Sequence, residues 1–590
     1  MNKNNLRKTW NIIKSVINRN KKQSTQSSKF ISNGKEISDR TEIANLFNNY
    51  FINIGPTLAS KIPQKGDKYL SYLSHLNIDS MFLEPTTRCE VIKIIMNLKD
   101  GAPGPDDICP KKIKIIANCI SHPLTKLVNL SFAEGVFPSE FKVAKVCPLF
   151  KANDPMLCNN YRPISLLSVF SKILERIMYN RLINFLNKNE ILNKMQFGFR
   201  ENHSTFMALI TMLDNVSNAL ENGNCALGIF LDFQKAFDTV DHKIMLDKLY
   251  LYDIRGVAHQ WFSSYLSDRK QSVIYDGYSS SLKTITCGVP QGSILGPLLF
   301  LIYINDLTCV SDFFKPILFA DDTNLFCTGR DMLSMVDEIN RELDKIYSWL
   351  NANKLSLNIA KTNFMLFTPK SASRPLLNIT IDGQLISEVD HSKFLGVIID
   401  NGLKWSNHIN CISNKISKGI GIIIKGRKVF DQSTLLSLYN TMVYPYLSYC
   451  IQVWGSAYKY HLSTIYKLQK KAVRIVAGVK PRTPTKQLFI DLDILTVDGI
   501  FHYAVGLFMY KFVNGMLPST FDDMFRYVND IHGHFTRTSA NLFVPFYRTS
   551  RGQKLISYFG PSTWNYIMAN INTDCAISTF KKLLRALYVK

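Results

Sequence analysis

The sequence lacks long hydrophobic runs and clustered cysteines. Its longest apolar stretch, around residues 298–304, is far too short to cross a bilayer, and its first residues lack the apolar core of a signal peptide. The 12 cysteines never form a Cys-x-x-Cys pair, so we expect neither a zinc site nor a disulfide framework. These absences predict a protein of the nucleus and cytoplasm, without a membrane partner.

Acidic residues are scarce relative to basic ones. The chain has 46 Asp and Glu residues against 70 Lys and Arg residues, which gives a formal net charge of +24. An excess of that size indicates a polyanionic partner, with nucleic acid ahead of membrane. The 590 residues are too many for one hydrophobic core, so we expect several domains.

The two ends of the chain are predicted to be mainly helical. Residues 6–17 carry apolar side chains at helical spacing, residues 18–29 are typical of a basic linker, and Asp39 and Glu42 form a capping pair before a second helix. After residue 400 the pattern is helical again and rich in Lys, Arg and Tyr. We expect no chemistry from the first 80 residues.

The most informative motif is Phe319-Ala320-Asp321-Asp322, which lies between two short apolar runs. Asp is depleted inside strands and common in turns, so the pattern predicts a β-hairpin with two acids at its tip. Adjacent carboxylates repel each other unless a cation lies between them, and Mg²⁺ prefers carboxylate oxygens. The alternative is an ordinary surface turn, which is the usual meaning of an isolated Asp-Asp pair.

A second acid, Asp232, ends a nearly continuous apolar run over residues 225–231. Such a run is typical of a strand that is buried on both faces. A carboxylate at its end is costly unless it is hydrogen-bonded or bound to a metal. The residue could equally be a helix N-cap at a strand-to-helix turn.

Two further elements follow the same order along the chain. Residues 288–297 place several Gly and Pro residues around Gln291, and glycine lets the main chain approach a ligand closely. Lys361 lies in a predicted turn after the Asp-Asp hairpin. The alternatives are a loop that simply enters a helix and a solvated lysine.

In this order, the four elements resemble the palm motifs of reverse transcriptases, in particular the non-LTR (LINE-type) retrotransposon enzymes of the jockey and CR1-like group. The resemblance runs from about residue 40 to the end of the chain. Longer phrases support it at residues 160–167, 196–200, 203–205, 231–242, 394–397, 453–455 and 468–474. Each phrase alone is modest, but together they are highly specific.

The resemblance implies an α+β fold of the right-hand polymerase type, with fingers, a palm built on an antiparallel sheet, and a helical thumb. A helical N-terminal extension would cover residues 1–80. Fingers and palm would cover residues 81–400, with a core reverse transcriptase domain over about 131–400. The thumb would cover residues 401–480, and a mixed C-terminal region of unknown role would cover 481–590.

The chemistry implied by the resemblance is nucleotidyl transfer from dNTPs, assisted by two Mg²⁺ ions, with Mn²⁺ as a possible substitute. The positions that match the family's metal ligands are Asp232, Asp321, Asp322 and the carbonyl of Phe233. Lys361 would donate a proton to the leaving pyrophosphate.

Four residues would bind the incoming nucleotide. Lys151 and Arg162 match fingers residues that hold the triphosphate, although both could be ordinary surface cations. Phe237 would lie under the sugar and exclude a 2′-hydroxyl; the alternative is a core phenylalanine. Gln291 would contact the nucleotide or the template.

The remaining expected contacts are to the template–primer. They involve Gly288, Pro290 and Gly292 in the loop, and Lys470 and Lys471 on a basic thumb helix, whose charges could also form a solvated face. The expected partners are an RNA template, a DNA primer and dNTPs, with element RNA and an ORF1-type RNA-binding protein in the cell.

The family's complete reading frame carries an endonuclease before the polymerase, and this chain begins in what resembles the linker after it. We therefore expect a truncated copy or partial gene product that extends a primer without nicking a target. Two alternatives remain: a non-catalytic nucleic-acid-binding remnant and an RNA-dependent RNA polymerase. Ala320 and Phe237 favour dNTPs over NTPs.

Overall fold

The computed structural model describes residues 29–32, 34–62, 69–73, 79–369, 374–531 and 539–589. The predicted amphipathic stretch at residues 6–17 lies outside these ranges. The strands are β1 (Phe30–Ser32), β2 (Lys35–Ile37), β3 (Val143–Phe150), β4 (Tyr161–Leu167), β5 (Cys225–Leu231), β6 (Lys270–Tyr275), β7 (Tyr278–Ser279), β8 (Lys283–Thr284), β9 (Lys315–Phe319), β10 (Asp322–Gly329), β11 (Asn363–Phe367), β12 (Thr380–Ile381), β13 (Gln384–Leu385), β14 (Ser387–Glu388), β15 (His391–Phe394) and β16 (Val397–Asp400).

Helices make up most of the remaining described chain. They are α1 (Arg40–Ala59), α2 (Arg88–Asn97), α3 (Pro110–Ile115), α4 (Ala117–Glu134), α5 (Val169–Lys188), α6 (Thr205–Glu221), α7 (His242–Leu251), α8 (Gly256–Leu266), α9 (Leu295–Ile304), α10 (Val336–Ala352), α11 (Ser406–Gly426), α12 (Gln432–Met442), α13 (Tyr444–Ser448), α14 (Ile451–Trp454), α15 (Lys459–Val476), α16 (Lys486–Asp491), α17 (Val497–Val513), α18 (Val528–Ile531), α19 (Ile556–Asn570) and α20 (Ile577–Tyr588). No helix within the described ranges is both long and apolar enough to cross a membrane.

The palm sheet has the strand order β14-β11-β5-β10-β9, with β5 at its centre. Its pairings are antiparallel except for the short parallel contact of β11 with β14. Every residue of β5 is buried, which confirms the predicted strand with two covered faces. One face packs in a core with the wholly apolar helix α9, and the other face packs against α6 and the helices after residue 400.

The fingers sheet is built on β4-β3-β6-β7, with β8 also paired to β6. Helix α1 begins at Asp39, whose carboxylate accepts a hydrogen bond from the Glu42 N–H as the sequence predicts. The helix packs on β6, where the fully buried Asn48 receives a hydrogen bond from Gln271 and donates to the hydroxyl of Ser280. The N-terminal region is therefore part of the fingers core.

Two features differ from the predicted helical extension and mixed C-terminal region. β1 and β2 pair as antiparallel strands, and Gly34, directly before β2, has a φ of +76°, which suits glycine. The described residues after 480 form helices and loops that share one core with α11 and α15. The boundaries of the four predicted domains stay predictions.

Candidate active site

Three carboxylates from distant parts of the chain meet at one end of the palm sheet. β5 and β10 are antiparallel, and Leu231 lies opposite Thr323. Asp232 follows Leu231 and Asp322 precedes Thr323, so both acids extend from the same end of the ladder. Opposite residues in such a ladder have Cα atoms about 5 Å apart, which is how strand pairing brings Asp232 beside Asp321 and Asp322.

The Asp-Asp turn is the predicted hairpin, and a buried glutamine holds its tip. Ala320 has a φ of +57°, which few non-glycine residues adopt. The Gln196 side-chain oxygen accepts hydrogen bonds from the N–H of Ala320 at 2.9 Å and of Gly198 at 2.8 Å. The main chain beside Gln196 also pairs with Leu318. The tip therefore has a fixed shape without any ligand.

Negative charge is concentrated in this site. Burial, and then the neighbouring charges of Asp321 and Asp232, raise the pKa of Asp322 to about 6. Burial also raises the pKa of Asp321, while a main-chain hydrogen bond and the Arg162 guanidinium oppose that shift. A cation placed between the carboxylates would relieve this repulsion.

The donor atoms fit a hard divalent cation, because all of them are oxygens. The three aspartates and Phe233, which can offer its main-chain carbonyl, line one cleft. Within the described ranges, no three His, Cys, Asp or Glu side chains are arranged closely enough to hold a metal ion on their own. Mg²⁺ commonly takes one or two carboxylates and completes its shell with water and phosphate oxygens, so an incomplete protein shell suits it.

The turn before β11 holds Asp232 in place. The Asn358 N–H donates to the Asp232 carbonyl at 2.8 Å, and its side-chain amide donates to the Asp232 carboxylate at 3.1 Å. The Asp232 N–H donates to the Thr362 hydroxyl at 3.3 Å. Lys361 is exposed, with its Nζ 4.0 Å from the Asp232 carboxylate. The structure brings Lys361 to the acids, and its role as a proton donor stays a prediction.

The acids open into a cleft of about 980 Å³, whose lining includes both predicted fingers cations. Arg162 lies opposite Leu149 near the end of the β3–β4 hairpin, and the Lys151 N–H donates to the Asn160 carbonyl at 2.8 Å. Both cations lower the pKa of Asp321, so their charges reach the acids. The cleft is within the size range of small-ligand sites.

Phe237 lies both against the hydrophobic core and at the edge of the catalytic cleft. Its ring stacks on Phe300 of α9 at 4.4 Å between centroids, and it also lines the cleft. A second aromatic residue, the exposed Phe199, meets the Phe237 ring edge-to-face at 6.1 Å. The stacking contact holds the ring beside the cleft, and the role of Phe237 in excluding a 2′-hydroxyl stays a prediction.

The glycine-rich loop is packed closely against the protein's own main chain. A Cβ at Gly288 would lie 2.9 Å from the Asp238 carbonyl oxygen, and a Cβ at Gly292 would lie 2.3 Å from the Ser165 oxygen. Pro290 accepts a hydrogen bond from the Ser293 N–H through its carbonyl. The glycines therefore allow the loop to pack closely against the protein's own main chain. Direct contacts of this loop with the template–primer stay a prediction.

Gln291 lines the cleft, but its amide is already engaged. Its side-chain Nε2 donates to the Asp238 carboxylate at 2.8 Å, and its main-chain carbonyl accepts from the Ser165 N–H at 2.9 Å. Burial raises the pKa of Asp238 to about 6, while the hydrogen bond from Gln291 opposes the shift. A nucleotide contact by Gln291 stays a prediction.

Lys470 and Lys471 lie on the exposed side of α15. The buried side of α15 packs against α11. Exposed cations can contact a nucleic-acid backbone. The role of these two lysines in binding the template–primer stays a prediction.

Four residues that contact or line the site were not predicted as site residues: Gln196, Lys235, Asp238 and Asn358. Lys235 adopts a φ of +52°, and its Nζ donates to the Tyr161 carbonyl at 3.3 Å. Lys235 and Asp238 belong to the phrase after Asp232, and Gln196 belongs to another matching phrase. Their place in phrases that match the family was the signal by which these three residues could have been found.

An α+β palm with three acids at the end of its central strands, facing two fingers cations, is the arrangement expected of a metal-dependent nucleotidyltransferase of the polymerase class. Residues 150–399 match the family described as reverse transcriptase (RNA-dependent DNA polymerase). This match confirms the predicted fold class and the predicted resemblance to a reverse transcriptase over that stretch.

Curated relatives identify the branch of the family. The chain is 31% identical over 431 residues to the RNA-directed DNA polymerase from mobile element jockey of Drosophila melanogaster, covering 70% of this chain and 46% of the relative. It is 28% identical over 426 residues to the probable RNA-directed DNA polymerase from transposon X-element of the same species, covering 71% and 47%. The predicted resemblance to non-LTR retrotransposon enzymes is confirmed, and the chain spans less than half the length of these relatives.

Proposed function

We propose that this protein is an RNA-directed DNA polymerase that copies the RNA of a non-LTR retrotransposon into DNA. The observation that supports this most strongly is the meeting of Asp232, Asp321 and Asp322 in a cleft that also holds Lys151 and Arg162. Three acids alone would fit several metal enzymes, but acids facing paired cations suit a substrate that brings its own phosphates and metal.

The reaction is the in-line attack of a primer 3′-hydroxyl on the α-phosphate of a dNTP, which releases pyrophosphate. Two Mg²⁺ ions, held by the three aspartates and the Phe233 carbonyl, would supply Lewis acidity for that step. Lys151 and Arg162 bind the triphosphate, and the planar guanidinium can pair with two phosphate oxygens at once. Lys361 gives a proton to the departing pyrophosphate.

Phe237 selects the sugar. Because stacking on Phe300 fixes its ring, the ring cannot move aside for a 2′-hydroxyl. Gln291, held by Asp238, presents its side chain beside the same pocket. Deoxyribonucleotides are therefore the proposed substrates.

The helices of residues 401–480 are the proposed thumb, with Lys470 and Lys471 contacting the template–primer backbone. The proposed partners are element RNA, a DNA primer and an ORF1-type RNA-binding protein, in the nucleus and cytoplasm. The whole-protein activity is part of this proposal, because the relatives extend well beyond the matched segment.

Primer extension on poly(rA)/oligo(dT) with Mg²⁺ tests the function. The wild-type protein should incorporate dTMP, and Asp321→Ala should lower the rate by on the order of 100-fold or more. Asp523→Ala, at an exposed acid outside the cleft, is the matched control and should keep the wild-type rate. No incorporation by the wild type would favour a binding remnant, and a preference for UTP would favour an RNA polymerase.

A further inference from the structure

A second cavity, of about 600 Å³, lies outside the catalytic cleft. Its walls come from α2, the loop after α2, α5 and Ile294 at the start of α9. Four basic side chains line it: Lys93, Lys99, Lys172 and Arg176. We call it the basic cavity.

Two of these cations repel each other on one helix face. Lys172 and Arg176 are four residues apart on α5, and both are partly buried. Like charges at this spacing destabilise a helix. The Arg176 guanidinium lies 4.9 Å from the centroid of the Tyr179 ring, and neither cation has an ion-pair partner within the described part of the chain. A bound anion would offset this repulsion.

The acidic residues around the cavity are engaged elsewhere. Both carboxylate oxygens of Glu90 accept hydrogen bonds from the Arg181 guanidinium, one of them at 2.7 Å. Asp100, in the loop after α2, pairs with Lys114 at 3.2 Å. The charge of the basic cavity is therefore not cancelled from within.

Apart from Glu90, Asn97 and Asn180, the rest of the lining is mainly apolar. Ile94, Leu98, Val169 and Ile294 contribute to the same walls. Cations beside apolar side chains suit single-stranded nucleic acid, which can place phosphates on the cations and base faces on apolar or guanidinium surfaces. A small inorganic anion would use only the cations.

The basic cavity and the catalytic cleft meet at one loop. Gln291 lines the cleft and Ile294 lines the cavity, so their Cα atoms are at most about 11 Å apart. The hydrogen bond from the Ser165 N–H to the Gln291 carbonyl holds this loop against the fingers sheet. The linings of the cleft and the cavity therefore approach each other to within the span of a few nucleotides.

We propose that the basic cavity binds the phosphates of the unpaired template strand immediately ahead of the catalytic cleft. The proposal rests on the polymerase function proposed above and adds a binding site to it. Lys172 and Arg176 contact the strand from α5, while Lys93 and Lys99 contact it from α2 and the following loop.

Binding of two substrates tests the proposal. A DNA primer is annealed to an RNA template that leaves either one or ten unpaired 5′ nucleotides, and Kd is measured by fluorescence anisotropy across a salt series without dNTPs. For wild type, the longer overhang should bind more tightly. In Lys172→Ala/Arg176→Ala this gain should fall by about 25-fold at 0.1 M salt, and the salt slope by about 1.4, because two single-strand phosphate contacts are lost.

Matched variants complete the design. Lys581→Ala/Lys582→Ala removes the same charge from the exposed face of α20 and should keep the wild-type gain. Lys93→Ala/Lys99→Ala alters exposed side chains only. If the α5 variant does not fold, this variant should show the reduced gain from the longer overhang instead. An undiminished gain in the folded cavity variants, or an equal loss on both substrates, would overturn the proposal. Failure of the polymerase function would appear separately, as wild-type protein that does not extend the primer.

Discussion

A single methyl group at Gly198 should displace the catalytic hairpin. A Cβ built at this buried position lies 2.3 Å from the Ala320 nitrogen and 2.9 Å from the Phe319 carbonyl carbon. Both neighbours are main-chain atoms, so no flexible side chain can move aside. Gly198 has an ordinary φ, so Gly198→Ala adds volume without backbone strain.

The size of the displacement sets the expected loss. Moving the Ala320 nitrogen from 2.3 Å to the ordinary contact distance of 3.4 Å requires a shift of about 1 Å, directly before Asp321. A misplacement of that size can cost on the order of 100-fold in rate. Overpacking should also cost about 1–3 kcal/mol of folding free energy, which a protein of this size can tolerate.

Primer extension at saturating substrate and thermal unfolding would be measured together. Gly421→Ala is the control, because it adds the same methyl group to α11 where nothing lies within 4 Å of the new Cβ. Gln196→Met provides a second route to the same defect by removing the acceptor of two tip hydrogen bonds. A Gly198→Ala enzyme that is folded and extends primers at the wild-type rate would refute the reasoning.

Three further variants test other parts of the structure. Phe237→Ala should weaken discrimination against NTPs by about 5- to 150-fold, the equivalent of 1–3 kcal/mol of steric overlap, in competition between dTTP and UTP; unchanged discrimination would remove Phe237 as the gate. Lys248→Met should lower the free energy of unfolding by about 3–5 kcal/mol, since it leaves the buried Asp306 carboxylate without its cation, and Lys248→Met/Asp306→Leu should recover much of that loss in urea unfolding. Gly292→Ala should raise the KM for dNTP, because its Cβ would meet the Ser165 carbonyl oxygen, and an unchanged KM would contradict the proposed fit of the loop.

The parts of the site that follow local patterns could be predicted from the sequence. The apolar run before Asp232 and the two runs around Asp321 and Asp322 predict a buried strand and a hairpin, because burial and turn formation depend on neighbouring residues. That Asp232 would lie beside Asp321 and Asp322, however, was predicted only from the resemblance to a family. No periodicity indicates which strands pair.

The supporting contacts could not be predicted, because their partners are far away in sequence. Gln196 holds Ala320 from another part of the chain, and Asn48 of α1 bonds to Gln271 and Ser280 of the fingers sheet. A lone glutamine or asparagine has the same appearance in a sequence whether it is solvated or buried.

The central position of β5 has a consequence for biosynthesis. This strand leaves the ribosome about 90 residues before β10, which is the neighbouring strand that begins with Asp322. At translation rates of roughly 5–20 residues per second, an uncharged strand with two apolar faces remains unpaired for about 5–20 s. The chain is therefore exposed to aggregation during its synthesis, and we expect its yield to depend on the supply of chaperones.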